Sequence, residues 1–337
     1  MSALLCAMAL AGCAARSSSA TVEASRQAVQ SAPPIADVAA RVQALLPLDA
    51  LLLGEQHDAP DHQRIHREVI EALAARGALA GVVLEMAMQG DSTASLFNTD
   101  GKSSNGDRSD SGKGDAGKGG TQASEEAVRA ALKWDEQAWP WAAYAPAIMA
   151  AVRAGVPVMG SNMPRARMGA AMQQPALDQR LSGPALKAQQ QLIRLGHCNL
   201  LPESQISPMT RIQIARDVAM ADAVVQALAN SAQTVPTTQA ATPLITASTD
   251  AFAINATTPS PQKTAKTVVL LAGSGHVDRT LGVPQHLPPG VKAKSVLLVA
   301  GLASDAGDKA TDFDAVWAAA PVSAKDYCAG LKEKIKG

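Results

Sequence analysis

Apolar and polar positions along the chain predict short buried strands separated by amphipathic helices. The predicted strands cover residues 51–54, 82–84, 156–159, 268–272 and 294–300. The predicted helices cover residues 35–46, 61–75, 125–133, 144–154, 184–195 and 209–229. Because strands and helices alternate, the pattern indicates an α/β fold with a mainly parallel sheet and helices on both faces.

Two polar tracts interrupt this pattern. Residues 90–122 are rich in Gly, Ser, Asp and Lys, and residues 231–266 are rich in Thr, Ala, Pro and Gln. Neither tract holds enough apolar side chains to offset the entropy lost on ordering. We therefore predict one domain over residues 34–330 that carries two disordered insertions.

The N-terminus carries a short apolar run, residues 4–10, followed by Leu10-Ala11-Gly12-Cys13. This tetrapeptide resembles the lipobox of bacterial lipoproteins, and the run is too short to span a bilayer. It predicts a signal peptide over residues 1–13, a lipid on Cys13 and a flexible tether over residues 14–33. The absence of Asp after Cys13 favours the outer membrane. No Lys or Arg precedes the run, so an unprocessed apolar tail is the alternative.

Composition narrows the classes of function. The formal net charge is +0 and the isoelectric point is about 7.0, which argues against a nucleic-acid partner.

Of the four cysteines, Cys6 leaves with a cleaved signal and Cys13 carries the lipid. Outside the cytoplasm the remaining pair, Cys198 and Cys328, is expected to form a disulfide. Two buried free thiols are the alternative.

Two motifs place ionisable side chains at predicted strand ends: Gly54-Glu55-Gln56-His57 and Gly273-Ser274-Gly275-His276. Glu85 ends the neighbouring strand, and Asn162 follows a third one. Because the carboxyl ends of strands form the ligand crevice of an open α/β sheet, we expect these side chains to converge.

Three kinds of chemistry are compatible with such a crevice. Glu55, His57 and His276 could bind a divalent metal and leave a position open for water. Without a metal, the catalytic set Glu55, His57, Glu85 and His276 could use an imidazole as base, with a glutamate fixing its tautomer. Alternatively, Glu55 and His57 only cap the next helix and tie down a loop.

Other polar motifs are less informative. His62 and His66 share a helix face, as in a zincin, but Gln63 stands where that motif needs a glutamate base. Arg216-Asp217 lies on an otherwise apolar helix and needs a partner. A structural ion pair and a role in the site both remain open for it.

Several motifs together resemble the ChaN family. They are, in chain order, Leu53-Gly54-Glu55-Gln56-His57-Asp58, Leu84-Glu85-Met86, the block from Trp139 through Tyr144-Ala145-Pro146, residues 158–162, Arg216-Asp217-Val218-Ala219-Met220-Ala221, and Gly273-Ser274-Gly275-His276 with Gly282-Val283-Pro284. Gly-Glu-x-His and Gly-x-x-His motifs are also similar to those of the erythromycin-esterase-like and TIKI/TraB superfamily, which contains hydrolases.

The resemblance implies a lipid-anchored, haem-binding protein that serves iron uptake, forms a homodimer and works with an outer-membrane haem or iron receptor. Family members are thought to use a tyrosine as iron ligand, and Tyr144 lies in a matching block. Phenolate is a known axial ligand of ferric haem. Tyr144, His57, His276 and Asn162 are therefore the expected haem-binding residues. The alternative is a hydrolase built on the same crevice.

Overall fold

The computed structural model describes residues 37–97, 123–233 and 265–330. Its strands are β1 Ala50–Glu55, β2 Leu79–Met88, β3 Val158–Asn162, β4 Thr267–Gly273, β5 Ala293–Ala300 and β6 Ala315–Ala319. Its α-helices are α1 Val38–Leu45, α2 Pro60–Ala75, α3 Glu125–Ala131, α4 Trp141–Arg153, α5 Arg165–Met172, α6 Gly183–Gly196 and α7 Glu203–Gln233. The predicted signal peptide, Cys13, the tether and most of both predicted insertions lie outside the described residues.

The strands form one six-stranded sheet in the order β3-β2-β4-β1-β5-β6. Every neighbouring pair is parallel, which confirms the predicted α/β fold with a mainly parallel sheet. All five predicted strands are present. Strand β6 was not predicted, because three of its five residues are alanine, which is depleted in strands.

Helices cover both faces of the sheet because β1 is apolar on both faces. Leu51 and Leu53 pack with α2 residues such as Ile65 on one face. Leu52 packs with α7 residues such as Val224 on the other face. Successive side chains of a strand point to opposite faces, so a continuous apolar run is what a strand covered on both sides needs.

The order of the strands places β4 between β1 and β2. Glu85 therefore does not end the strand beside β1, as the sequence suggested: it lies inside β2, which is one strand further along and continues to Met88. Glu55 pairs in register with Gly273 of β4. The two motifs and Glu85 thus meet on three adjacent strands, although β4 comes much later in the chain.

Three further segments differ from the predicted pattern, and one of them is α5, Arg165–Met172, which was not predicted. Helix α7 begins at Glu203 and passes through Pro208, whereas the predicted helix began after this proline, since proline interrupts helix interiors. Residues 90–97, at the start of the predicted first insertion, form a turn, a bridge from Ser92 to Met159 and the 3-10 helix Ala94–Leu96. Lys133 anchors this segment through Asp91, at 2.7 Å.

The predicted disulfide between Cys198 and Cys328 is confirmed. It joins the end of α6 to the segment that follows β6. None of the helices among the described residues is long and apolar enough to cross a membrane.

Candidate functional site

A cavity of about 1080 Å³ opens at the carboxyl edge of the sheet. Its floor holds the four side chains that the sequence placed at strand ends, which are Glu55, His57, Glu85 and His276. Except for His57, whose side chain is 39% exposed, these groups are almost fully buried. Their ionisation states are therefore set by their neighbours rather than by water.

Glu55, the last residue of β1, is the acceptor for three donors. The Tyr144 hydroxyl donates to it at 2.8 Å, the Gln63 side-chain amide donates at 3.0 Å, and His57 Nδ1 lies 2.7 Å from its Oε1. Burial alone would raise the pKa of Glu55, but the His57 hydrogen bond and the nearby His66 hold it below its usual range. Glu55 is therefore an ionised carboxylate that orients the His57 ring.

His57 turns its other ring nitrogen, Nε2, away from Glu55. This atom lies 3.8 Å from Glu85 Oε2, and the ring meets Trp139 edge-on, with centroids 4.8 Å apart. Burial lowers the pKa of His57, but the hydrogen bond to Glu55 and the charge of Glu85 outweigh it, so the pKa is raised. An imidazole held in this way can exchange a proton with a molecule in the cavity.

Glu85, in β2, is a second buried carboxylate and is surrounded by positive groups. It accepts from the Gly273 N–H at 2.7 Å and from Arg216 Nη2 at 2.5 Å, and His276 Nε2 lies 3.4 Å away. Burial opposes ionisation, but the charges of His276, His57 and Arg216 keep the pKa of Glu85 well below its usual range.

His276 follows β4 and bridges Glu85 to a third acid on α7. Its Nδ1 lies 2.5 Å from Asp217 Oδ1. Although burial lowers the pKa of His276, the two carboxylates raise it to about 9. Burial raises the pKa of Asp217 to about 6, against the attraction of His276. At neutral pH His276 is thus an imidazolium between two carboxylates.

Both motifs need their glycines because the chain approaches itself closely. A Cβ on Gly54 would lie 2.5 Å from Val277 Cγ2 and 2.9 Å from the Cα of Ser274. A Cβ on Gly273 would lie 2.9 Å from His57 Nε2. The close packing of these two strand ends is what brings His57 and Glu85 together.

A family model described as "Haem-binding uptake, Tiki superfamily, ChaN" matches residues 41–239, which is more than half of the chain and includes β1, β2, β3 and α7. The chain belongs to the ChaN family.

One solved structure shares the fold of this ChaN-family chain. It is described as "Cofacial heme binding to ChaN of Campylobacter jejuni". The two chains are 20% identical, with a TM-score of 0.50, and the match covers 78% of this chain and 86% of the other. No curated protein matches.

Of the other expected haem-binding residues of this ChaN-family chain, Tyr144 lines the cavity and Asn162 does not. The side-chain oxygen of Asn162 accepts from Arg216 Nε at 3.0 Å. Tyr144 lines the cavity, but its hydroxyl is held by Glu55, and burial raises the pKa of Tyr144 far above its usual value.

The metal site proposed from the sequence, Glu55 with His57 and His276, has no support. Within residues 37–97, 123–233 and 265–330, no group of three or more His, Cys, Asp or Glu side chains is arranged to hold a metal ion. Each imidazole is directed at its own carboxylate instead, His57 at Glu55 and His276 at Asp217.

Sequence reasoning missed several residues of the site. The pair Arg216-Asp217 was noticed, and the structure decides its role: Arg216 binds Glu85 and Asp217 binds His276. The side-chain amide of Gln63, the residue that excluded a zincin motif, donates a hydrogen bond to Glu55. Tyr327 lines the cavity and its hydroxyl contacts Asp58 at 2.9 Å, which no local pattern predicted.

Proposed function

We propose that this protein binds haem in the cavity at the carboxyl edge of the sheet and serves haem or iron acquisition. The observation that carries the proposal is the apolar wall of this cavity, in a chain of the ChaN family. The wall consists of Ala138, Trp139, Pro140, Ala142, Ala143 and Pro146. The rim carries Arg64, Arg67 and Lys325, and each of them is paired with a carboxylate: Arg64 with Asp61 and Glu68, Arg67 with Glu71, and Lys325 with Asp58.

Such a cavity matches the chemistry of haem, which is a flat apolar ring with two carboxylates. The apolar wall would cover the ring, because burying apolar surface is the main driving force for binding. Arg64, Arg67 and Lys325 would bind the haem carboxylates by exchanging their present carboxylate partners. When bound, the haem iron would supply a Lewis-acidic centre, and a side chain of the cavity lining would hold it.

Three side chains of the cavity are candidate iron ligands: His57, Tyr144 and Tyr327. His57 has the geometry of a ligand imidazole, since a carboxylate holds its Nδ1 and leaves Nε2 available. Tyr144, the ligand that the family resemblance implies, would first have to lose the proton that it donates to Glu55. Tyr327 is 57% exposed at the rim. His276 is a weaker candidate, since both its nitrogens face carboxylates.

A haemin titration tests the proposal. We expect the purified protein to give a saturable Soret band. His57→Ala should weaken the affinity by at least about tenfold, since even supporting residues of a metal ligand contribute 10–100-fold. Tyr144→Phe and Tyr327→Phe are titrated in the same way. Loss of the tyrosine that binds iron should shift the Soret band in addition to weakening the affinity. His286→Ala is the matched control, because this histidine lies outside the cavity lining. A wild-type protein that shows no saturable band contradicts the proposal.

A second function, hydrolysis, is favoured by one observation. The Glu55–His57 pair presents an oriented imidazole to the cavity, and such a pair can act as a general base toward water. If the protein hydrolyses p-nitrophenyl acetate, His57→Ala should lower the rate by roughly 10²–10⁴-fold, whereas His286→Ala should leave it unchanged. Equal rates for the wild type and His57→Ala would reject this function.

The location and partners of the protein form part of the same proposal. We propose a lipid anchor on Cys13 in the outer membrane, a homodimer, and delivery to or from an outer-membrane haem or iron receptor. The lipobox-like Leu10-Ala11-Gly12-Cys13 and the uptake function in the family description support it.

Replacing the lipidation site tests the anchor. Cys13→Ser should move the protein from the membrane fraction to the soluble fraction, because the predicted tether carries no core residues. Its melting temperature should not change. Cys6→Ser is the control, and it should fractionate as the wild type does. Continued membrane fractionation of Cys13→Ser would show that the lipobox prediction is wrong.

A further inference from the structure

The segment after β6, residues 321–330, forms part of the wall of the cavity, and we refer to it as the strap. Lys325 and Tyr327 of the strap line the cavity. The strap has no regular structure until a single helical turn at residues 327–330. None of its ten residues is buried, so no apolar core holds it in place.

Polar contacts with the start of α2 hold the strap at one side. The Tyr327 hydroxyl lies 2.9 Å and 3.0 Å from the two carboxylate oxygens of Asp58, and Lys325 Nζ lies 3.2 Å from the same group. Just before the strap, the Ala320 N–H donates to Asp61 at 2.8 Å. All these contacts face solvent, and exposed contacts of this kind contribute about 1 kcal/mol or less each.

The other attachment is covalent. Cys328 of the strap is bonded to Cys198, which follows α6 and lies 130 residues earlier in the chain. Both cysteines are partly exposed, as attack by a thiol on the bond requires. Without this bond, the contacts that hold the strap among the described residues would be exposed polar ones, and segments held in this way open readily.

We propose that the Cys198–Cys328 disulfide is a thiol-exchange site that fastens the strap across the cavity, and that a dithiol reductant opens it and releases the bound ligand. Taking haem as that ligand rests on the function proposed above. The fastening itself does not depend on the identity of the ligand, because it follows from where the strap lies and what holds it.

The exchange is balanced by the two thiols of the reductant. One thiolate attacks a sulfur of the disulfide, forms a mixed disulfide and releases the other cysteine as a thiolate, which takes up a proton. The second thiol of the reductant then displaces the remaining cysteine. Two electrons pass to the protein, Cys198 and Cys328 become thiols, and the reductant leaves as a disulfide.

Hydrogen–deuterium exchange tests the fastening without any ligand. The full chain carries Cys6→Ser and Cys13→Ser, so that Cys198 and Cys328 are its remaining cysteines. Three forms are compared: the oxidised protein, the protein reduced by dithiothreitol, and a variant in which Cys198→Ser and Cys328→Ser are added. We expect amide exchange in residues 321–330 to rise at least tenfold in the last two forms and to stay unchanged in β1 and β4. Dithiothreitol should have no effect on the form that lacks Cys198 and Cys328.

Haemin release then tests the effect on the cavity. Transfer of bound haemin to excess apomyoglobin is timed for the oxidised protein and for the form without the disulfide, so that no thiol is present with the haemin. We expect transfer to be at least tenfold faster without the disulfide. Circular dichroism at the assay temperature confirms that both forms are folded.

Each outcome decides the proposal. Unchanged amide exchange in the strap would overturn the proposal, because the disulfide would then not hold the strap. Amide exchange that rises equally throughout the sheet would also overturn it, because the disulfide would then stabilise the whole fold. Faster strap exchange with unchanged haemin release would overturn the link to the ligand. If the oxidised protein binds no haemin, the proposed function fails, and the exchange experiment alone decides whether the disulfide fastens the strap.

Discussion

Replacing Glu85 by glutamine should lower the free energy of unfolding by about 3–5 kcal/mol, the usual cost of removing one partner of a buried ion pair. The Glu85 side chain is 4% exposed and faces both Arg216 and His276. Glutamine keeps the size of the side chain but removes its charge. The two cations would then remain next to each other with no carboxylate between them.

Urea unfolding at neutral pH measures this effect. Glu71→Gln is the matched control, because Glu71 pairs with Arg67 on the surface of α2 at 3.7 Å and its side chain is 51% exposed. An exposed pair of this kind contributes about 0.3–0.5 kcal/mol. If Glu85→Gln and Glu71→Gln cost the same, Glu85 is not the charge centre of the site.

Stability should also fall as the pH rises from 6.5 to 9, because His276 loses a proton that the folded state holds tightly. Its pKa is raised from 6.5 to about 9 by Glu85 and Asp217, against the effect of burial. A group with a raised pKa stabilises the fold fully below its unfolded pKa, and this contribution is lost as the pH rises through its folded pKa. The shift corresponds to about 3 kcal/mol.

Unfolding free energies at pH 6.5 and pH 9 measure this loss, and His276→Gln is the variant that should remove most of it. The pKa of His57 is also raised, by Glu55 and Glu85, so a smaller loss of the same sign should remain in the variant. A wild-type protein whose stability does not change between these pH values would contradict the assigned charge on His276.

The apolar pattern of the sequence determined the class of fold and the ends of the central strands. Leu51 to Leu53 are apolar without a break, and a strand covered by helices on both faces needs such a run. The glycines that follow mark where β1 and β4 end, and polar side chains beyond the carboxyl ends of parallel strands meet at one edge. This is why Glu55, His57, Glu85 and His276 could be expected in one cavity.

Only the tertiary structure decided what these side chains contact. The insertion of β4 between β1 and β2 is a long-range pairing, and local periodicity carries no information about it. The ionisation of His276 depends on Asp217, which lies 59 residues away in the sequence. The position of Tyr327 over the cavity depends on contacts with Asp58, 269 residues away, and on the disulfide of its neighbour Cys328. Such contacts are set by how α2, α7 and the strap pack around the sheet, because side-chain charges act on whatever the fold brings within a few ångströms.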